Sequence, residues 1–217
     1  KKYGTSTTSS RILTGNFEIH EELQAALAAF LGLEDALVFS TGYMANVGVM
    51  SELTGKGDIA IIDRQAHASL IDGCKMSGAT QRYFVHNNLT DLERILRDCN
   101  EACGKLIACE GVYSMEGDLA PLPGLFEVSI KYGAGVAIDD GHGIGILGGN
   151  GRGVIEHFNL DLQGKGCVIT GSLGKTLASV GGFAAGDHMV IDHLRHTARP
   201  LLFSTSLCPA NAASALV

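Results

Sequence analysis

The chain has 217 residues, 46% of them hydrophobic and 18% charged, with a formal net charge of −7, which suits an ordinary globular protein with one large core and excludes disorder. Its Lys and Arg are scattered rather than gathered into a basic face or stripe, so nucleic acid is excluded as a partner and small molecules are expected. No apolar stretch approaches the roughly 20 residues needed to cross a bilayer, and the start Lys1-Lys2-Tyr3-Gly4 lacks a signal-peptide core; the expectation is no membrane-spanning segment and a cytoplasmic location.

Helical spacing appears first over residues 18–31, where Ile19, Leu23, Ala26, Leu27 and Phe30 recur at threes and fours and define one buried face. An apolar, β-branched run over 36–40 predicts a strand, followed by a helix over 45–53 and a strand over 58–62. His67, in Gln65-Ala66-His67-Ala68-Ser69, begins a helix. The pattern continues with a strand at 81–85, a helix at 89–99, a strand at 105–110, a helix at 122–131 and strands at 135–139 and 167–171. A weaker seventh strand at 182–185 precedes a helix at 188–199. This alternation predicts one α/β domain with a mainly parallel seven-stranded sheet. The six cysteines contain no Cys-x-x-Cys pair and read as reduced thiols; Cys99 and Cys103 would lie one helical turn apart, but no histidines stand at ligand spacing, so no metal is expected.

Ligands of open parallel sheets collect beyond the carboxyl ends of the strands, and the suspicious residues fall there. Thr41-Gly42-Tyr43 follows a strand and opens a helix, which offers N–H groups to a phosphate. Asp139-Asp140-Gly141-His142 ends another strand. An acid there could keep a pyridine nitrogen protonated, and His142 could hydrogen-bond a ring oxygen or a substrate carbonyl. Thr170-Gly171-Ser172-Leu173-Gly174-Lys175-Thr176 puts an amine on a small-residue loop, the position of a Schiff-base lysine holding pyridoxal 5'-phosphate. His67 could lie flat on the cofactor ring. The glycine-rich run 141–149 follows a late strand and leads into a loop rather than a long helix, which argues against a dinucleotide site.

As an ordered set these segments resemble the α-oxoamine synthases, pyridoxal-phosphate enzymes of transferase fold type I that include 8-amino-7-oxononanoate synthase, glycine C-acetyltransferase and serine palmitoyltransferase. The resemblance runs through Ser10-Arg11-Ile12-Leu13-Thr14-Gly15-Asn16, Phe39-Ser40-Thr41-Gly42-Tyr43-Met44-Ala45-Asn46, His67-Ala68-Ser69, Glu110-Gly111-Val112-Tyr113-Ser114-Met115-Glu116-Gly117-Asp118, Asp139-Asp140-Gly141-His142, Ser172-Leu173-Gly174-Lys175 and Phe203-Ser204-Thr205-Ser206-Leu207. It implies that Lys175 binds the cofactor covalently, Asp139 pairs with the ring nitrogen, His67 stacks on the ring, and His142 and Ser114 approach the ring hydroxyl. It places Gly42, Tyr43 and Ser172 on the phosphate side, joined by Ser204 or Thr205 from a partner subunit, and so implies a homodimer with its active site at the interface. The implied reaction is a decarboxylative condensation of a small amino acid with an acyl-CoA to give an α-amino ketone. Transamination or carbon–sulfur chemistry on the same fold is the rival activity, and a non-catalytic cofactor-binding partner subunit is the rival class. The resemblance further implies that 1–217 is a large-domain fragment without a short N-terminal segment and a small C-terminal domain. Gly141 stands where Ala or Ser is usual, and Cys208 where proline is common.

Overall fold

The computed structural model describes residues 2–217. The helix α1 (Glu18–Leu31) leads into β1 (Asp35–Phe39), followed by α2 (Gly42–Leu53), β2 (Ile59–Asp63), α3 (Ala68–Ser77), β3 (Thr80–Phe84), α4 (Leu89–Arg97) and β4 (Lys105–Glu110). The chain continues through α5 (Leu122–Tyr132), β5 (Gly135–Asp139), the one-turn α6 (Val154–His157), β6 (Cys167–Ser172) and β7 (Gly182–Gly186), and ends in α7 (His188–Thr197), α8 (Arg199–Leu202) and α9 (Pro209–Leu216).

The seven strands form one sheet in the order β1-β7-β6-β5-β4-β2-β3. All neighbours pair in parallel except at β7, which is antiparallel to both β1 and β6. The expected α/β class and mainly parallel seven-stranded sheet are therefore present. Alternation along each strand sends successive residues to opposite faces. One face carries Ile61, Ile107, Ile138, Ile169 and Phe183. The other carries Ala60, Ala108, Ala137 and Ala184, small side chains that let α2 lie close to the sheet. Gly73 of α3 permits a similar approach to α2, since a Cβ there would stand 2.7 Å from Met50 Cβ and 3.0 Å from the Val47 backbone.

The parallel arrangement brings the carboxyl ends of β1, β2, β4, β5 and β6 to one edge of the sheet, where antiparallel β7 begins. Phe39 and Ser172 both register with Gly182, so the turns after β1 and β6 meet there. Several expected limits move. Helix α2 starts at Gly42 rather than 45, because Thr41 Oγ1 caps the Met44 N–H at 3.0 Å. Helix α4 stops at Arg97, so Cys99 and Cys103 do not share a helical turn. The expected helix over 188–199 ends at Thr197, with Ala198 extended before α8. Among the described residues no group of three or more His, Cys, Asp or Glu is placed to hold a metal ion, and no helix is long and apolar enough to cross a membrane.

Candidate active site

A cleft of about 130 Å³ opens at the carboxyl edge of the sheet, lined by Gly42, Tyr43, Asn46, His67, Asp139, Gly171, Ser172 and Lys175. Each wall comes from a separate strand end or helix start. A hollow of about 340 Å³ beside the edge strand β3 is larger, but it is lined by Arg64, Arg82 and Arg94 and contains no lysine or histidine.

Lys175 is exposed on the turn after β6. A Cβ added at Gly141 would lie 2.9 Å from Lys175 Nζ and 3.0 Å from Asp139 Oδ1, so the amine and the acid converge across a glycine. Asp139, the last residue of β5, accepts from the Gly141 N–H at 3.0 Å through Oδ1 and from Asn46 Nδ2 at 2.6 Å through Oδ2. A carboxylate has about four lone-pair sites, and two remain for a donor in the cleft. Asn46, only 2% exposed, is a site residue that the sequence reading did not single out. Its signal was a polar side chain in the buried stretch of α2, between Ala45 and Val47.

The other wall is built for an anion. Helix α2 begins against β7 and the β6 turn, and a Cβ at Gly182 would sit 2.4 Å from Gly42 N and Cα. With Thr41 engaged at Met44, the first-turn N–H groups of Gly42 and Tyr43 have no intrahelical acceptor. Ser172 stands beside them, its Cβ 3.4 Å from where a Gly42 Cβ would be. The Tyr43 hydroxyl donates to Asp72 Oδ2 at 2.8 Å, which ties the start of α2 to α3. Such a terminus, with a hydroxyl alongside, binds phosphate-like groups through N–H donors and the helix dipole. His67, which also lines the cleft, caps α3: its Nδ1 accepts from the Ser69 N–H at 3.3 Å and lies 2.6 Å from Ser69 Oγ.

His142 is half-buried on the turn after β5. Burial and the nearby Lys175 ammonium hold its imidazole below the usual histidine range, with Asp139 opposing, so it is neutral at physiological pH and available to donate or accept. Glu110, at the end of β4 and in register with Asp139, is 2% exposed; burial and the Asp139 charge push its carboxyl up to about 7. Asp140 is fully buried and likewise pushed up to about 7, chiefly by burial. Its Oδ2 accepts from the Val154 N–H at 2.9 Å, and glycines at 111, 143 and 153 crowd the carboxyl, each too close for a Cβ.

The structure thus brings Lys175, Asp139, His67, Gly42, Tyr43 and Ser172 onto one cleft, with His142 at its margin. Ser114 lies on the exposed β4–α5 loop, where its N–H faces the Glu110 carboxyl; it does not line the cleft. Ser204 and Thr205 do not line it either: their segment is held within the chain, the Thr205 carbonyl accepting from Ser40 Oγ at 2.8 Å and the Leu207 carbonyl 2.7 Å from His20 Nε2.

Residues 2–216 match the family of aminotransferases class I and II. The chain is 45% identical over 216 residues to 8-amino-7-oxononanoate synthase 1 of Bacillus subtilis, a match that covers 100% of this chain and 55% of that protein. Among solved structures it superposes on Sphingomonas wittichii serine palmitoyltransferase with a TM-score of 0.94 at 42% identity, over 99% of this chain and 53% of that one. A high-resolution structure of SPT with a PLP internal aldimine gives a TM-score of 0.93 at 42% identity, over 99% and 54%. The chain spans about half the length of the curated relatives it matches.

Proposed function

We propose that this chain, which belongs to the aminotransferase class I and II family, is the cofactor-binding part of a pyridoxal-phosphate-dependent α-oxoamine synthase. The reaction is the decarboxylative condensation of a small amino acid with an acyl-CoA. The observation that carries the cofactor assignment is the convergence of Lys175 Nζ and Asp139 Oδ1 on the Gly141 backbone, on the same cleft as the open N-terminus of α2. The residues fit the group: an exposed amine for its aldehyde, a carboxylate with free lone pairs for its ring nitrogen, an imidazole for its ring face, and helix N–H groups with Ser172 for its phosphate. When bound, pyridoxal phosphate supplies a carbonyl for covalent attachment and an electron-withdrawing ring that stabilises negative charge at an amino acid's α-carbon.

The chain's own groups do the rest. Lys175 would hold the cofactor through its amine and, when that amine is free, would take the α-proton. Its exposed position and lack of an ion pair among the described residues leave the amine free to approach either partner. Asp139, held by Asn46 and the Gly141 N–H, keeps a proton on the ring nitrogen. His67, on the same cleft, would cover the ring face. His142, neutral because of burial and Lys175, donates to the thioester carbonyl as it gains negative charge, which lowers the barrier to acyl transfer. The acyl-CoA assignment rests on likeness to 8-amino-7-oxononanoate synthase and serine palmitoyltransferase. Homodimerisation, with Ser204 or Thr205 reaching a partner's phosphate site, belongs to the same proposal: in their own chain these residues lie off the cleft. A cytoplasmic setting fits CoA-dependent chemistry.

The test is a substrate panel on the full-length protein with added pyridoxal phosphate. Glycine, alanine and serine are each supplied with acyl-CoA while free CoA and carbon dioxide are measured. One amino acid should release both products in equal amounts. Transfer of the amino group to a keto acid without CoA release would replace this reading with transamination.

A further inference from the structure

One chain of buried hydrogen bonds links Asp139 and His67, two cleft residues on different elements. Thr170 Oγ1 of β6 donates to Asn46 Oδ1 of α2. Asn46 Nδ2 donates to Asp139 Oδ2 of β5 at 2.6 Å and to Ser69 Oγ of α3 at 2.8 Å. Ser69 Oγ lies 2.6 Å from His67 Nδ1. Asn46 is 2% exposed, Thr170 1% and Ser69 0%, so water does not complete or replace these bonds.

The direction of the chain follows from the inventory of donors. A carboxylate only accepts, so the amide nitrogen of Asn46 must face Asp139 and its oxygen must face Thr170. The second amide hydrogen then occupies a lone pair of Ser69 Oγ, and the Ser69 hydroxyl hydrogen is left to point at His67 Nδ1. The Ser69 backbone N–H points at the same nitrogen, 3.3 Å away. With two donors aimed at it, Nδ1 is unprotonated and the ring proton sits on Nε2.

We propose that Asn46 is a positioning residue that sets both the free lone pairs of Asp139 and the ring tautomer of His67. It rests on the reading above only in that Asp139 and His67 are there assigned to a cofactor; the tautomer itself requires no cofactor. Asn46→Asp is the sharpest perturbation, because the new carboxyl and Asp139 share one proton across their short contact, and the oxygen that replaces the amide nitrogen has no second hydrogen for Ser69 Oγ, only a lone pair. The Ser69 hydroxyl then turns toward position 46, Ser69 Oγ accepts from His67 Nδ1–H, and the tautomer reverses. Ser69→Ala removes the hydroxyl donor while leaving the Asn46–Asp139 bond in place.

The experiment is long-range proton–nitrogen correlation NMR of the histidine rings in the ¹⁵N-labelled, cofactor-free protein, with His67→Gln used to assign the signals. The expected result is an Nε2–H His67 in the parent, a population shifted to Nδ1–H in Asn46→Asp, and a smaller shift in the same direction in Ser69→Ala. Should Asn46→Asp fail to fold, Ser69→Ala decides. An Nδ1–H ring in the parent, or a His67 signal unmoved in the folded variants, overturns the proposal. Pyridoxal phosphate uptake, followed separately by visible absorbance, is expected to weaken about tenfold or more in Asn46→Ala, which deprives Asp139 of a charge-assisted bond, and less in Ser69→Ala. Equal uptake by Asn46→Ala and the parent overturns the Asp139 half of the proposal. No uptake by the parent refutes the cofactor reading while leaving the tautomer result standing.

Discussion

Replacing Asp140 with asparagine should flatten the pH dependence of stability. The Asp140 side chain is fully buried, and burial raises its carboxyl from 3.8 to about 7. In the unfolded chain the group ionises above 3.8; in the folded chain it resists ionisation until near 7. It therefore has no differential effect below 3.8 and destabilises the fold progressively as pH rises from 3.8 to about 7, with the full penalty above that. At ~1.4 kcal/mol per pH unit, the gap amounts to about 4 kcal/mol. The substitution Asp140→Asn removes the titration while the amide carbonyl still accepts from the Val154 N–H. Any fixed cost of fitting the amide among Gly111, Gly143 and Gly153 is the same at every pH. Urea unfolding of both proteins between about pH 4 and pH 8 measures the difference. Stability of the parent should fall relative to the variant by about 4 kcal/mol over that range, and parallel curves would refute the burial argument.

Gly182→Ala should destabilise the fold by about 3 kcal/mol, the upper part of the range for overpacking, because its Cβ would stand 2.4 Å from backbone atoms of Gly42; urea unfolding midpoints check it. Gly141→Ala presses on side-chain ends rather than backbone, Lys175 Nζ at 2.9 Å and Asp139 Oδ1 at 3.0 Å, so the unfolding midpoint should fall less than in Gly182→Ala while capture of pyridoxal phosphate, followed by absorbance, changes in rate. His86 bridges Asp63 at 2.9 Å and Asp118 at 3.0 Å, edge-on to Tyr113 and beside Asn87. Burial alone lowers its affinity for a proton, but the bonds to Asp63 and Asp118 outweigh burial and raise it. The clamp is thus fully present below about pH 6.5 and lost as pH rises through the raised value, so amide protection in the 111–119 loop, measured relative to the intrinsic exchange rate at each pH, should fall across that window in the parent and stay constant in His86→Gln.

Much of the sheet was legible because buried strands in this chain are short apolar runs ended by polar or glycine turns: 105–110 and 135–139 coincide with β4 and β5. The reversed direction of β7 was not legible, since Gly182–Gly186 has no side chain larger than Phe183 and its orientation is set by partners on both sides. Helix α9 was missed because half of Pro209–Leu216 is alanine and the segment lacks a clear apolar stripe, although Pro209 at its first turn is a start signal. At the site, Lys175 on a loop, Asp139 at a strand end and His67 at a helix start stood out as chemical groups. Asn46 did not, because its importance comes from three partners on β5, β6 and α3 that only the folded chain brings together.

Borohydride reduction of the protein with pyridoxal phosphate, followed by peptide mapping, tests the central claim most directly. The account predicts a stable pyridoxyl label on Lys175 and on no other lysine. A label confined to another lysine, or no label on protein shown to be folded, would contradict it.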